Sequence, residues 1–175
     1  MLKYLFRILS IAVFAITPQH HIAGNPQKQI VVKVTDTGYA TYQNKRFGYS
    51  INYPQNSFIP QPESDYGDGC IFLNAGQQEV LRVFGRYNTP EDGPAISLAR
   101  QFNSDIKSAT RQHKTITYKK LGKTFYVLSG YSNNTIFYQK TILLNGNFAY
   151  AILQYPVKEK TFYNRLIGPI FSSFS

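Results

Sequence analysis

Thr124–Tyr155 reads TFYVLSGYSNNTIFYQKTILLNGNFAYAILQY. Three runs rich in β-branched and aromatic residues follow one another here, which is the composition of strands. Asn145-Gly146 separates the last two, and that dipeptide suits a type I′ hairpin turn, whose two central residues both need positive φ. Taking these two residues as the loop fixes a register. Leu144, Ile142, Lys140 and Tyr138 then face Asn147, Ala149, Ala151 and Leu153 on one side of the sheet. Leu143, Thr141, Gln139 and Phe137 face Phe148, Tyr150, Ile152 and Gln154 on the other. The first side is largely apolar, and its two small residues, Ala149 and Ala151, leave room for a helix to approach closely. The second is apolar but more mixed. A sheet that is apolar on both faces has to be covered on both.

Working outward, Thr115–Lys120 is a further strand that turns at Leu121-Gly122-Lys123 into the quoted stretch. Before it, Ala95, Leu98, Ala99, Phe102 and Ile106 recur at helical spacing, and Pro94 suits the first position of that helix. After Pro156, Phe162, Leu166 and Ile170 mark a second helix, which Gly168-Pro169 is expected to break or kink near its end. Towards the N-terminus, Phe47, Tyr49, Ile51 and Tyr53 alternate as a strand with one aromatic face, entered by a turn at Asn44-Lys45-Arg46. Gln55–Gly69 reads as a loop punctuated by Pro60, Pro62, Gly67 and Gly69, the two glycines being expected at positive φ. Cys70–Asn74 and Glu79–Tyr87 read as strands. The order β-β-β-α-β-β-β-β-α predicts an α+β domain with a mainly antiparallel sheet covered by helices.

The chain has 175 residues, enough for one domain. Residues 1–24 are expected to be a signal peptide: Lys3 and Arg7 form a basic start, Ile8–Ile16 is an apolar run, and Ala23 and Gly24 are small residues at which a peptidase could cut. This run of nine residues, broken only by Ser10, is too short for a bilayer, which takes about 20. Residues 25–38 read as a linker, with Ile30–Val34 as an optional edge strand, and 39–175 as the domain. The single cysteine, Cys70, rules out an internal disulfide and reads as a small buried hydrophobe. Removing the leader takes only Lys3 and Arg7 from 19 basic residues set against 9 acidic ones, so the domain is strongly basic and favours anionic surroundings.

With those pieces in view, the chain resembles the PsbP-like fold shared with the Mog-type Ran-binding proteins, and above all small exported bacterial proteins of that group. The likeness rests on Tyr42–Pro54 (YQNKRFGYSINYP), Gly67–Phe72 (GDGCIF), Phe125–Gly130 (FYVLSG), Phe137–Lys140 (FYQK) and the closing Ile170–Phe174 (IFSSF). It implies an α/β/α sandwich and a binding or assembly factor in place of an enzyme. PsbP supports the manganese site of photosystem II and the Mog type binds a small GTPase. Neither partner is carried over, because the leader suits neither a plant lumenal subunit nor a nuclear-import factor.

The residues offer little for catalysis. One histidine, His113, lies beyond the leader, and no nucleophile motif accompanies it. Ser129 before Gly130 reads as a structural strand-end serine. One Cys and one His are too few for zinc. Glu63, Asp65 and Asp68 are weak candidates for a calcium site, set against a solvated turn built on Gly67, Asp68 and Gly69. No cofactor is expected. Lys107, Arg111, Lys114, Lys119, Lys120 and Lys123 fall in a stretch without an acid. On the strand, Thr115, Thr117 and Lys119 are expected outward, with Ile116 and Tyr118 inward. The run is either a solubilising face or a surface for an anionic partner. Two classes stay open: an exported, non-enzymatic binding or accessory domain of the periplasm or exterior, or a hydrolase with an unrecognised site. The partner expected for the first is an envelope protein or anionic envelope component, with peripheral membrane contact allowed for. A nucleic acid is not expected, and the chain is expected to be a monomer.

Overall fold

The computed structural model describes residues 32–34, 38–89 and 93–175; the expected signal peptide lies outside them. Among the described residues ten strands run in chain order: β1 (Val32–Val34), β2 (Tyr39–Gln43), β3 (Ser50–Pro54), β4 (Ile59–Pro60), β5 (Gly69–Leu73), β6 (Glu79–Arg86), β7 (Thr115–Leu121), β8 (Phe125–Ser132), β9 (Thr135–Leu144) and β10 (Asn147–Pro156). Helix α1 (Leu98–Arg111) lies between β6 and β7. A 3₁₀ turn at Val157–Glu159 leads into α2 (Lys160–Ser173).

The strands form two antiparallel sheets, a large one ordered β4-β5-β6-β10-β9-β8-β7 and a small one ordered β1-β2-β3. The β9–β10 hairpin has the register read from Asn145-Gly146, from Leu144 opposite Asn147 to Phe137 opposite Gln154. Its turn has φ of 50° at Asn145 and 77° at Gly146, as a type I′ turn requires. Both faces are covered. On one, Phe84, Tyr126, Leu128, Phe137, Phe148 and Tyr150 pack with Leu98, Phe102 and Ile106 of α1. On the other, Ile142, Ala149, Ala151 and Leu153 join Tyr42, Ile51 and Tyr53 of the small sheet and Tyr163, Ile170 and Phe171 of α2.

The small residues expected to admit a helix also admit an aromatic turn. Gly85 pairs with Ala149, and a Cβ on Gly85 would meet the Phe47 ring at 2.2 Å. Phe47 and Tyr49 therefore do not lie in a strand, as their alternation suggests. They stand in the turn between β2 and β3, where the Phe47 amide donates to the Asn44 side chain at 2.9 Å. A second correction concerns Gly69. It has no positive φ, unlike Gly67 at 63°. It is in β5, where a Cβ would lie 2.0 Å from the Val83 carbonyl oxygen.

Two helix boundaries also differ from the reading. Helix α1 starts at Leu98, capped by Ser97, whose hydroxyl accepts from the Arg100 amide at 3.2 Å. Pro94 is not in the helix because the Asn88 side chain holds the backbone of Ile96 in an extended lead-in, at 3.0 and 3.1 Å. Helix α2 runs through Pro169 to Ser173. Pro169 sits on the exposed side, while Ile170 and Phe171 beside it are buried and hold the last turns against the sheet. The end of the chain is tied to β3 by reciprocal backbone bonds between Ser50 and Ser175, at 2.8 and 3.2 Å.

Candidate functional site

The basic run begins where α1 ends. Helix α1 closes with the Lys114 amide on the Ala109 carbonyl, 2.9 Å, and the His113 amide on the Thr110 carbonyl, 3.0 Å. This is the paired pattern of a Schellman motif, and its left-handed position, normally a glycine, is His113 with φ 56°. The histidine weighed for catalysis is thus the residue that turns the chain from α1 into β7.

Strand β7 is the outer edge of the large sheet, and it carries a bulge between Ile116 and Tyr118. Ile116 pairs with Gly130 and packs on the α1 side, whereas Tyr118 pairs with Ser129 in register with Tyr138, on the α2 side. The extra residue, Thr117, reverses the alternation. Tyr118 is consequently exposed and not inward as its spacing suggests. The same reversal puts Lys119, opposite Leu128, on the α1 side and Lys120, opposite Val127, on the α2 side. The six cations do not share one face. They form a basic rim around the free edge of the sheet, Lys107 and Arg111 one helical turn apart on α1, Lys114 at the joint, Lys119 and Lys120 along β7, and Lys123 at the next turn.

All but Lys114 are exposed, and among the described residues none of the six forms an ion pair. Lys114 lies 5.5 Å from the centre of the Phe137 ring and Lys120 5.9 Å from that of Phe125. Lysines on an edge strand oppose pairing with another chain. They also leave the rim's charge uncompensated.

The acidic loop is a clamp. Glu63 accepts from the Tyr42 hydroxyl at 2.7 Å and from Asn44 at 3.3 Å. Asp68 accepts from the Ser64 hydroxyl, and its backbone oxygen accepts from the Tyr49 hydroxyl at 2.9 Å. Among the described residues no three His, Cys, Asp or Glu side chains converge as a metal would require. Nor are the residues weighed for catalysis brought together. Asp68 lines one cavity with Cys70 and Arg82, and Ser129 lines another with Tyr118 and Tyr138. Ser129 donates to the Phe137 carbonyl at 2.8 Å. Burial pushes the Cys70 thiol up to about 12, far from the range of a reactive thiolate.

A polar network under α1 escapes the sequence reading. Arg86 donates through Nη2 to Gln101 Oε1 at 2.8 Å and to the Tyr150 hydroxyl at 3.0 Å. Gln101 passes its amide hydrogen to Asp105 Oδ1 at 2.6 Å. Asp105 Oδ2 accepts from Tyr126 at 2.5 Å and from Gln139 at 2.8 Å. A cation and a carboxylate are thereby joined through one amide. Burial, then the Asp105 charge, raises the Tyr126 phenol and takes Tyr150 up to about 12. The signal for this network is the position of Gln101 and Asp105 between Leu98 and Ala109, on the inward stripe of an amphipathic helix.

Scanning the sequence against models of protein families finds no match, and a search of the curated proteins finds none either. The fold itself is PsbP-like. The chain is similar to the solution structure of cyanobacterial PsbP (CyanoP) from Synechocystis sp. PCC 6803, with a TM-score of 0.58 and 15% identity over 81% of this chain and 94% of that one. Among the described residues, no helix is long and apolar enough to cross a membrane.

Proposed function

We propose that the chain is an exported, non-enzymatic binding or accessory domain of the cell envelope, which docks on an anionic envelope component through the rim formed by Lys107, Arg111, Lys114, Lys119, Lys120 and Lys123. The observation that carries this reading is the absence of ion pairs along the rim among the described residues, in a chain with formal charge +10. Cations that served only the fold would be expected to meet carboxylates or lie scattered. Here they follow one edge of one sheet, with no acid in the stretch. The basic start and apolar run of residues 1–24 support export. The PsbP-like fold, and the separation of Asp68, His113 and Ser129, support a binding role over a hydrolytic one.

Fractionation of the native host with mass spectrometry of the N-terminus tests the export half. A chain beginning near residue 24 in the envelope or medium is the expected result, and an intact Met1 in the cytosol contradicts it. Sedimentation with vesicles containing phosphatidylglycerol, against phosphatidylcholine alone, tests the docking half. Adhesion to the anionic vesicles alone is expected at low salt.

A further inference from the structure

We infer that the cavity between α1 and the large sheet binds a small molecule bearing both a carboxylate and an ammonium group, the chemistry of a free α-amino acid. The cavity is about 290 Å³; it shares Lys114 with the basic rim but none of the lysines of β7. Its size suits a single small ligand, at the low end of such sites.

Three features select this class. The first is a pair of cations at the cavity, Arg86 and Lys114, neither in an ion pair among the described residues. Arg86 is held through one terminal nitrogen by Gln101 and Tyr150. Its remaining guanidinium hydrogens are left to donate, and a guanidinium matches a carboxylate in a planar, two-point fashion. Its orientation is fixed further by the Tyr150 ring, 5.5 Å away.

The second is an acceptor pair lining the same cavity, Asp105 on α1 and Gln139 on β9. Asp105 takes three hydrogen bonds, and a carboxylate has about four acceptor positions. Gln139 gives both amide hydrogens away, to Asp105 and to Thr141 at 3.1 Å. Its carbonyl oxygen is therefore left as an acceptor. An ammonium, with donors only, is the complement of these acceptors.

The third is the apolar surface between them. The Phe84 and Tyr150 rings stack on each other with centroids 4.7 Å apart and planes at 7°, and with Leu128 and Ile152 they line the apolar part of the cavity. The network also fixes the charged groups before any ligand arrives, so little ordering remains on binding. A cavity lined by cationic donors, by carboxylate and amide acceptors and by apolar side chains favours a zwitterion over a simple anion.

Calorimetric titration of the folded chain with free α-amino acids, glycine, leucine, phenylalanine and glutamate, tests this. The same titration is repeated with acids lacking the amine and amines lacking the acid. At least one amino acid is expected to bind, and its one-ended analogues about tenfold or more weakly, because a desolvated partner is left unpaired. Arg86→Met and Asp105→Asn should each weaken binding by a similar factor while far-ultraviolet circular dichroism stays unchanged. If either variant does not fold, Lys114→Met, at the half-buried rim of the cavity, supplies the test. Reversal of Lys119, Lys120 and Lys123 should leave this affinity alone, which separates it from vesicle adhesion. No binding across the panel at millimolar concentration overturns the inference. So does binding that ignores the loss of the amine and survives Lys114→Met.

Discussion

The ammonium group of Lys140, in the middle of the large sheet, donates to the carbonyl oxygen of Phe171 at 2.8 Å, and it reaches the carbonyl of Phe174 at 3.0 Å. Helix ends leave carbonyls without partners, and a cation there also meets the negative end of the helix dipole. Lys140 faces Ala151 in the hairpin, so its stem crosses a gap that a small neighbour leaves open. Replacing it with methionine keeps an apolar stem and removes the cap. Lys140→Met should lower stability by about 1–2 kcal/mol in urea unfolding. An unchanged midpoint would show that the carbonyls are served equally well by water.

Two glycines separate strain from space. Gly146 has φ 77° and nothing within 4 Å of where a Cβ would stand. Gly146→Val should cost about 1–2 kcal/mol from backbone strain alone. Gly85 instead lies under Phe47, and Gly85→Ala has to displace a buried ring, for about 1–3 kcal/mol. A variant pair Gly85→Ala with Phe47→Leu should recover part of that loss, whereas Phe47→Leu should do nothing for Gly146→Val. Equal responses of the two glycines would contradict the assignment.

How much of this was legible follows from what each signal depends on. The β9–β10 register was readable because Asn145-Gly146 fixes it locally and side chains alternate strictly along both strands. The same alternation misled at Tyr118, since β7 carries a bulge at Thr117, beside Gly130, where a Cβ would lie 1.9 Å from the Thr115 carbonyl oxygen. Phe47 and Tyr49 look like strand residues because both are buried and aromatic. Their burial comes from a turn that fills the space over Gly85, a long-range fact. The cations of the rim were visible as a run, but not their distribution over two faces. The Arg86–Gln101–Asp105 network joins a strand and a helix through side chains, and only the inward placing of Gln101 and Asp105 hinted at it.

His113 offers a substitution that should help. A histidine at φ 56° carries the Cβ strain that glycine avoids, and its side chain is exposed. His113→Gly should raise stability by about 1 kcal/mol and move the melting temperature upward. A fall in melting temperature would mean that the side chain itself supports the α1–β7 joint.

Buried tyrosines set the alkaline limit. Burial holds the phenols of Tyr42, Tyr49 and Tyr126 above their ordinary range and takes Tyr150 up to about 12. A group whose pKa is raised on folding contributes stability that is whole below the unfolded value and lost as pH rises past it. For a phenol that value is about 10. Lys140 has the opposite sign, because burial lowers its pKa and its contribution grows as pH rises past the lowered value. With several phenols against one amine, urea midpoints should fall above about pH 10, with tyrosinate absorbance appearing together with unfolding. Phenols that ionise in a chain still folded, with a level midpoint, would contradict this.

The docking role of the rim is tested most directly by reversing Lys119, Lys120 and Lys123 to Glu and measuring vesicle adhesion across ionic strength. Glutamate keeps charge on the free edge of β7, so the strand stays protected from pairing with other chains. The original chain should bind phosphatidylglycerol vesicles at low salt and release them towards physiological strength, where exposed charges are screened beyond about 8 Å. The reversed chain, with an unchanged melting temperature, should not bind at any salt concentration. Equal binding by the two chains would reduce the rim to a solvated edge that only prevents aggregation.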